Sequence, residues 1–459
     1  MKRIKVSFLI LTVLLLSSCS MGENSKKKKS NGKEINEEKI YTPDVVWELE
    51  TKSFYDSWYT KQYDRFYYIV EYQTEPDVDF FFSKVDLTSG QKKWSSPVFT
   101  GIATSEPLKA QIKGKNCIII GGENSVTYIL DDENGEVLAS MVFYEEYQSK
   151  QWDLYGRNTW HWLFIDNGLY WTSSIDDEKD SEGNIINPKP QGIVKIDMSK
   201  LDFSKPAYEP QYIEPQMVWV NNINRQHIFM YPVEKDGVIY FVTRDQWETD
   251  GYCIIGAFDT KTNSEKWHKI SNKIIGEGWD NMCIAGNRLY IVEQGQGCYD
   301  LETGETIWEF LDPPDYCVDN IGISGSIYSR GITYWNDKLY FTNIAGGRAA
   351  SFLGVDKSHI QNIQCIDANT RELIWGDMPE DSGSLDTKPH IVNGQCFVVT
   401  WDDLRVYNAT TGELIGIDKS VISCGKELNA SYGDLFVFFK TNSKDHTSIL
   451  TAIKVGEIE

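Results

Sequence analysis

The sequence predicts an all-β protein: a single eight-bladed β-propeller of four-stranded antiparallel blades, closed into a ring by its N-terminal strand. Two observations carry this prediction, a unit that recurs eight times along 459 residues and two chain ends that complete each other. The unit is an apolar strand, an Asp or its equivalent, a Thr/Gly turn and often a Trp eight residues after the Asp. Clear copies run from Asp86 to Trp94 and from Asp300 to Trp308. A repeat of this length is typical of propeller blades.

Eight anchor positions give the size of each unit. Steps of 41 to 46 residues between anchors fit a blade of four short strands, and steps of 62 to 67 residues indicate blades with insertions. An aromatic-rich strand precedes each anchor, for example at 237–241 and 338–341. The anchors are Asp86, Asp131, Asp197, Asp259, Asp300, Asp367, Asn408 and Lys454.

The turn after each anchor has a defined chemistry. The Asp or Asn oxygen accepts a hydrogen bond from the backbone two residues on, and Gly takes the positive φ that redirects the chain. The Trp that follows, as in Trp267 and Trp375, is expected to face the next blade. The units anchored at Asp131 and Asn408 keep the turn but lack the Trp.

The two chain ends predict how the ring closes. The last unit, at 448–453, supplies the third strand of a blade, and the chain stops before a fourth. The segment 45–49, which contains Trp47, reads as a Trp-bearing fourth strand without a blade. Pairing the two completes the eighth blade and removes an exposed sheet edge.

The insertions fall mainly on one side of the predicted ring. Those at about 174–191 and 343–362 join second to third strands, and 309–326 joins one blade to the next; these connections share one face, whereas residues 201–215 enlarge the opposite, turn side. Loops elaborated on one rim predict a protein-binding surface there. Five tryptophans either contribute to that surface or pack within blades: Trp152, Trp160, Trp162, Trp247 and Trp335.

The N-terminus predicts a lipoprotein signal. Residues 1–18 combine a basic start with an apolar run too short to span a bilayer, and Leu16, Ser17 and Ser18 precede Cys19 as in a lipobox. We therefore predict lipidation of Cys19 and a membrane anchor; the alternative is an ordinary secretory signal in which Cys19 is incidental. Residues 19–40 then form the lipidated Cys and a tether, and 41–459 the propeller. The lysines at 26–29 either touch anionic headgroups or belong to a solvated spacer.

The same N-terminal segment bears on the net charge of the mature chain and on its cellular location. Without residues 1–18 the chain has 42 basic and 67 acidic residues, a net charge of −25, which argues against nucleic acid as a partner. We expect a monomer in the cell envelope. Ser20 replaces the Asp that favours inner-membrane retention in enteric-type sorting, so the outer membrane is preferred for a Gram-negative source, and otherwise the outer leaflet of the cell membrane.

The sequence predicts no catalytic, cofactor or metal residues. The histidines form no HxH or HExxH spacing, and the cysteines form no CxxC pair. The acidic loop 176–184 is either a solvated insertion or a calcium loop that lacks its last ligand. The cysteines after Cys19 are interpreted mainly as small buried residues. They are Cys117, Cys253, Cys283, Cys298, Cys317, Cys365, Cys396 and Cys424; the histidines are His161, His227, His268, His359, His390 and His446.

The repeat, apolar-Asp-x-x-Thr-Gly-x-x-x-Trp, resembles that of the PQQ-like, quinoprotein-type β-propellers from about residue 45 to the end. A lipidated eight-bladed member is similar to the BamB family of the outer-membrane β-barrel assembly machinery, although insertions enlarge several blades here. The quinoprotein dehydrogenases use an adjacent Cys–Cys pair, calcium held by Glu and Asn, and an Asp base. No two cysteines are adjacent in this chain; the closest are Cys283 and Cys298.

Together these features predict a membrane-tethered, non-catalytic binding or scaffold lipoprotein, with a protein partner on the elaborated face. The contrasting hypothesis is an enzyme or small-ligand binder that uses the mouth of the central channel.

Overall fold

The computed structural model divides the chain into two compact units, Met1–Glu38 and Lys39–Glu459, and every residue it describes belongs to the second. None of the described segments is a helix with the length and apolarity that crossing a membrane requires. The described residues are 39–52, 60–73, 79–122, 126–142, 162–173, 178–179, 185–187, 192–220, 227–228, 232–244, 253–272, 281–292, 295–310, 327–345, 361–377, 388–400, 403–419, 429–442 and 447–457.

The second unit is an eight-bladed propeller, as predicted, and its first half holds blades one to four. Each blade has four antiparallel strands, and three blades gain an additional strand. Strand β1 is Asp44–Thr51. Blade one is β2 Lys61–Tyr63, β3 Phe66–Gln73, β4 Asp79–Asp86 and β5 Gln91–Ser95, with β6 Phe99–Thr100. Blade two begins with β7 Leu108–Ile112, β8 Lys115–Gly121, β9 Thr127–Asp131 and β10 Val137–Val142. Blade three is β11 Leu163–Ile165, β12 Gly168–Ser173, β15 Gly192–Asp197 and β17 Gln216–Val220, with a hairpin of β13 Glu178–Lys179 and β14 Ile185–Asn187; a 3-10 helix, Met198–Lys200, and β16 Gln211–Tyr212 precede β17. Blade four is β18 His227–Ile228, β19 Val233–Lys235, β20 Val238–Arg244, β21 Cys253–Asp259 and β22 Ser264–Ser271.

Blades five to eight repeat the pattern with less elaboration among the described residues. Blade eight takes β1 as its outermost strand. Blade five is β23 Met282–Ala285, β24 Arg288–Val292, β25 Gln296–Asp300 and β26 Thr306–Phe310. Blade six is β27 Ile327–Trp335, β28 Lys338–Ala345, β29 Gln361–Asp367 and β30 Leu373–Asp377. Blade seven is β31 His390–Val392, β32 Gln395–Val399, β33 Leu404–Asn408 and β34 Leu414–Asp418. Blade eight is β35 Ala430–Tyr432, β36 Leu435–Asn442, β37 Thr447–Lys454 and β1.

All eight anchors end the third strand of their blade, and each Asp or Asn anchor accepts the predicted hydrogen bond from the backbone two residues on. The predicted glycine is present in the turns after Asp86, Asp131, Asp300 and Asn408; Asn263 and Arg371 take the positive φ in two others, and a 3-10 helix follows Asp197. Asp300 Oδ1 accepts the backbone N–H of Glu302 at 2.9 Å, and Asn408 Oδ1 accepts that of Thr410 at 2.9 Å. Gly304 and Gly412 then take φ values of 72° and 74°. These turns and the hairpins between first and second strands define what we call the turn side of the ring; the opposite face is the connection side.

Eight apolar clusters fill the eight interfaces between neighbouring blades, and the ring therefore has no open interface among the described residues. The blade tryptophans cap these interfaces as predicted. Trp375 of blade six donates its indole N–H to Ala409 O of blade seven at 2.8 Å, and Trp267 of blade four donates to Leu301 O of blade five at 2.9 Å. Each indole thereby joins its blade to the turn of the next blade.

The N-terminal strand closes the ring, as the chain ends predicted. Strand β1 pairs antiparallel with β37 over seven residue pairs, including Leu49 with Leu450. Trp47 donates its indole N–H to Leu87 O of blade one at 2.9 Å, so blade eight docks onto blade one in the way the other blades dock.

The two blades without a Trp each receive additional backbone along the outer edge instead. In blade two, Ala139 holds the Trp position, and β16 from the blade-three insertion pairs in parallel with β10. In blade seven, Gly416 holds that position, and Ile40 forms a parallel bridge with Ile417. A Cβ at Gly416 would lie 2.8 Å from Tyr41 N, so this glycine is what lets the incoming backbone approach. In each interface an imported side chain, Ile213 or Tyr41, joins the apolar cluster in place of the indole.

The insertions predicted from the sequence leave the sheets where expected. Strand β12 pairs with β15 and β28 with β29, so the insertions that follow Ser173 and Ala345 join second to third strands, and the stretch after Phe310 leads to the next blade. All three depart on the connection side. The insertion after Asp197 departs on the turn side.

Candidate functional site

The described residues contain no group of three or more His, Cys, Asp or Glu side chains that could hold a metal ion. The titratable groups that do meet lie between blades or beneath strands. The main groups are three polar clusters, the buried Asp403–Arg405 ion pair at the start of β33, a surface carboxylate–imidazole pair and a set of buried thiols.

The first cluster joins blades one and two. Asp132 follows an anchor, where the other blades place an apolar residue or a Thr, and it is 7% exposed. Lys84 Nζ lies 2.7 Å from Asp132 Oδ1 and also donates to Asp132 O at 2.8 Å. Tyr68 donates its hydroxyl to the same Oδ1 at 2.5 Å. Burial and the carboxylate raise the pKa of Tyr68 far above its usual range, so the phenol stays a donor.

The second cluster lies under the end of β1. Glu71 is fully buried, and Lys92 Nζ contacts both of its oxygens at 2.7 and 2.8 Å. Ser83 donates to Oε1 at 2.5 Å and the backbone N–H of Lys52 donates to Oε2 at 2.9 Å. Every oxygen of this carboxylate is thus occupied by protein donors.

The third cluster joins blades four and five near the connection side. Glu309 Oε1 accepts the hydroxyls of Tyr299 at 2.6 Å and Ser271 at 2.5 Å. A related contact joins blades six and seven, where Tyr407 donates to Asp377 Oδ2 at 2.9 Å. The Ser271–Glu309 and Tyr407–Asp377 bonds join neighbouring blades, whereas the Tyr299–Glu309 bond links two strands of blade five. All these partners are desolvated together.

The surface pair lies on the outer rim of blades three and four. His268 Nδ1 is 2.5 Å from Glu265 Oε1, and Trp219 donates its indole N–H to Glu265 Oε2 at 2.9 Å. The pair resembles the orienting half of a catalytic arrangement. The Trp219–Glu265 hydrogen bond joins blade three to blade four, so the geometry supports an interface contact.

The six described cysteines are free thiols, and five of them are buried. Burial raises the pKa of Cys117 and Cys298 to about 11 and that of Cys253 and Cys365 to about 12. Thiolates are therefore disfavoured at these sites, and the interpretation of these cysteines as core residues is confirmed. Cys317 and Cys424 lie outside the described residues.

Several sequence-predicted residues can be placed. Trp162 is buried in the interface of blades two and three, and Trp335 packs against that of blades six and seven, which decides in favour of blade packing for both. His390 lies against Phe436, and His227 is in β18. The residues that lie outside the described part of the chain are Cys19, Trp152, Trp160, Trp247, His161, His359 and His446; most of loop 176–184 does too, with only β13 described.

Two residues that join neighbouring blades were not recognised in the sequence. Trp219 lies 22 residues after Asp197, yet it occupies the blade-three place of the tryptophan expected at eight residues, because residues 201–215 intervene. Asp132 was not singled out in the sequence. Its signal was available in the sequence, since it is the only Asp that directly follows an anchor.

The connection side of the ring remains the candidate interaction surface. Among its described residues are exposed apolar side chains at strand ends and links: Val98 and Ile102 are both 50% exposed, and Ile270 is 53% exposed. On the innermost strands, Gln62 Nε2 donates to Ser431 O at 2.6 Å across blades one and eight.

Comparison with known proteins gives a fold likeness only. No family model matches the chain, and no curated protein matches it. BamB from Moraxella catarrhalis is similar over 91% of this chain and 100% of its own, with a TM-score of 0.52 and 12% identity. Quinohemoprotein alcohol dehydrogenase from Comamonas testosteroni covers 90% and 77% at TM-score 0.53 and 12% identity, and a europium-containing methanol dehydrogenase covers 89% and 93% at 0.57 and 11%. The chain shares their eight-bladed propeller fold.

Proposed function

We propose that this chain is a membrane-tethered, non-catalytic binding or scaffold lipoprotein of the bacterial cell envelope. The observation that carries the proposal is the continuity between the lipobox and the closing strand. Cys19 precedes Lys39, the first described residue, by 20 positions, and residues 39–52 are built into the ring. A chain of that length spans at most about 70 Å, which keeps the propeller close to the membrane that holds the lipid.

Replacing Cys19 tests the anchor. The Cys19→Ser protein should move from the detergent-soluble membrane fraction to the soluble envelope fraction or the medium, because the acylated thiol is lost. The matched control is Cys283→Ser, which alters a half-buried thiol in β23 and should leave the protein with the membranes. Membrane partitioning of Cys19→Ser equal to that of the control would refute the anchor.

Within this class we propose a BamB-like role in outer-membrane protein assembly. Its support is the shared propeller fold, extending over all of the Moraxella catarrhalis BamB chain, together with the lipobox. A tagged mature protein, purified from gently solubilised envelopes, should co-purify with the β-barrel assembly protein of its membrane. Its depletion should lower the amount of folded outer-membrane β-barrels. If depletion left β-barrel levels unchanged while the Cys19 test supported the anchor, the BamB-like role would be refuted and the broader scaffold role would stand.

The second candidate is a quinoprotein-type enzyme or a small-ligand binder, and the likeness to two dehydrogenases favours it. The described residues do not fit such a cofactor: Cys283 and Cys298 lie on the strands either side of β24, each paired with Tyr290, and are not adjacent in sequence. Dye-linked alcohol or sugar oxidation by the protein supplied with PQQ and calcium, and abolished by a chelator, would establish the enzyme. No such turnover is expected.

A further inference from the structure

The closing segment of the ring, residues 39–52, is held differently from every other outer strand. We call it the clasp. It contacts three consecutive blades: Tyr41 N donates to Ile417 O of blade seven at 2.9 Å, β1 pairs with β37 of blade eight, and Tyr72 of blade one donates to Lys52 O at 3.0 Å. A single 14-residue segment therefore covers two inter-blade seams.

Little of the clasp is buried. Val45 and Val46 are 43% and 47% exposed, and Trp47 and Leu49 are only partly buried. The equivalent tryptophans of blades one, three, four, five and six are 7–9% exposed. The clasp also begins with a solvent-exposed ion pair between Lys39 and Glu413, a type that contributes little stability. A segment with few buried contacts opens at low free-energy cost.

The seam between blades eight and one also has contacts that do not involve the clasp. The apolar cluster between blades eight and one has nine buried members, and none comes from the clasp. On the inner strands, Gln62 makes two hydrogen bonds to the backbone of Ser431, at 2.6 and 3.1 Å. Glu71 loses one donor when Lys52 leaves, but Lys92 and Ser83 remain. Blades eight and one therefore keep these inner contacts when the clasp leaves, although Trp47 and Leu49 then no longer cover the cluster.

From these contacts we propose that the clasp detaches as a unit while the eight blades stay folded, and that the groove it vacates is a binding site for an extended β-strand. The ligand is a peptide strand of the clasp's own pattern, with aromatic residues at the positions of Tyr41 and Trp47 and an apolar residue at that of Leu49. The groove supplies the edge of β37, the carbonyl of Leu87 and the close approach at Gly416.

Hydrogen exchange of the full mature chain tests detachment. The amides of β1 should exchange at least about tenfold faster than those of β26, an outer strand whose Trp308 is 8% exposed. Trp47→Ala should accelerate exchange in β1 by a further tenfold or so and leave the other blades within about twofold, whereas the matched Trp308→Ala should accelerate blades five and six as well as its own strand. Exchange of β1 at the rate of β26, or acceleration of all blades together by Trp47→Ala, would overturn the proposal.

A labelled synthetic peptide of residues 39–52 tests the groove. It should bind the full-length Trp47→Ala protein saturably by fluorescence anisotropy, because the weakened clasp competes poorly. Binding to the unaltered protein, and binding of a peptide carrying Trp47→Ala, should each be at least about tenfold weaker. Equal binding of the two peptides, or no binding to the Trp47→Ala protein, would show that the groove does not accept a strand in trans.

Discussion

At the scale of single residues, turn glycines lie against the tryptophan of the preceding blade. A Cβ at Gly135 would come within 2.6 Å of the Trp94 ring, whereas a Cβ at Gly114 has no neighbour within 4 Å. Both residues belong to blade two and have nearly equal φ values, +77° and +79°. The pair therefore separates the cost of a positive φ from the cost of crowding an indole.

We predict that Gly114→Ala lowers the free energy of unfolding by about 1–2 kcal/mol, the cost of a left-handed backbone for an L-residue. Gly135→Ala should cost about 1–3 kcal/mol more, because the methyl group displaces Trp94. Urea unfolding of both variants measures the difference. Equal losses would mean that the indole moves aside without cost.

The ion pair of Lys84 and Asp132 gives a second prediction at this scale. Lys84→Met should lower the free energy of unfolding by about 3–5 kcal/mol, since it removes the nearer of two cations beside the buried Asp132 carboxylate and leaves only Lys109, 3.8 Å away. Combining it with Asp132→Leu and Tyr68→Phe should recover most of the loss, because Leu87 and Leu301 occupy the position of Asp132 in other blades. Urea unfolding measures these losses. A triple variant as unstable as Lys84→Met would show that the polar network stabilises the interface more than an apolar replacement does.

At the scale of elements, the insertion after Asp197 has a structural base and an exposed tip. Leu201 and Ile213 are buried in the interface of blades two and three, and Gln211 exchanges two hydrogen bonds with the backbone of Asp202 at 2.8 and 2.9 Å. Tyr208 at the tip is 61% exposed. The base thus completes a blade that lacks its tryptophan, and the tip does not contribute to that packing.

We predict that Ile213→Ala costs about 2–4 kcal/mol of unfolding free energy, as a large-to-small change in a cluster that lacks the blade tryptophan of the outer strand. Tyr208→Ala, in the same insertion, should stay within about 0.5 kcal/mol. Thermal or urea unfolding of the two variants compares them directly. A negligible effect of Ile213→Ala would mean that β16 is not part of the blade-two core.

At the scale of the whole molecule, burial of ionisable groups makes stability depend on alkaline pH. The pKa of the buried thiols Cys253 and Cys365 rises to about 12 in the folded chain, from 9.0 in the unfolded one, and those of Tyr240 and Tyr290 rise from 10.0 to about 12. A raised pKa means that the folded state holds its proton more tightly. The stabilisation is complete below pH 9 and disappears as the pH rises to about 12.

We therefore predict a urea midpoint that is constant near pH 8 and falls steadily above pH 9, with Cys253→Ala showing a shallower fall between pH 9 and 11 than the unaltered protein. Alkylation by iodoacetamide should be slow at pH 8 and accelerate only as the fold is lost. A midpoint that is flat to pH 11 would show that the thiols titrate in the folded state without cost.

Much of the architecture was determined by the sequence alone, because the blade repeat is local. An anchor, a turn glycine and a tryptophan within eight residues specify a third strand, its turn and its fourth strand, and the unmatched ends at Trp47 and 448–453 specify closure. The number of blades and the role of the indoles follow from those short-range patterns. The core of the ring could therefore be predicted.

Only the tertiary structure decided how the irregular blades are completed and which charges meet. The parallel pairing of β16 with β10, the approach of Tyr41 to Gly416, and the contact of Lys84 with Asp132 join residues 48 to 375 positions apart. No periodicity records such contacts, because they depend on which side chains two packed blades bring into one desolvated space. The same reason separates fold from function here: the repeat specifies the blades, whereas a binding surface depends on the contacts made between them and around them.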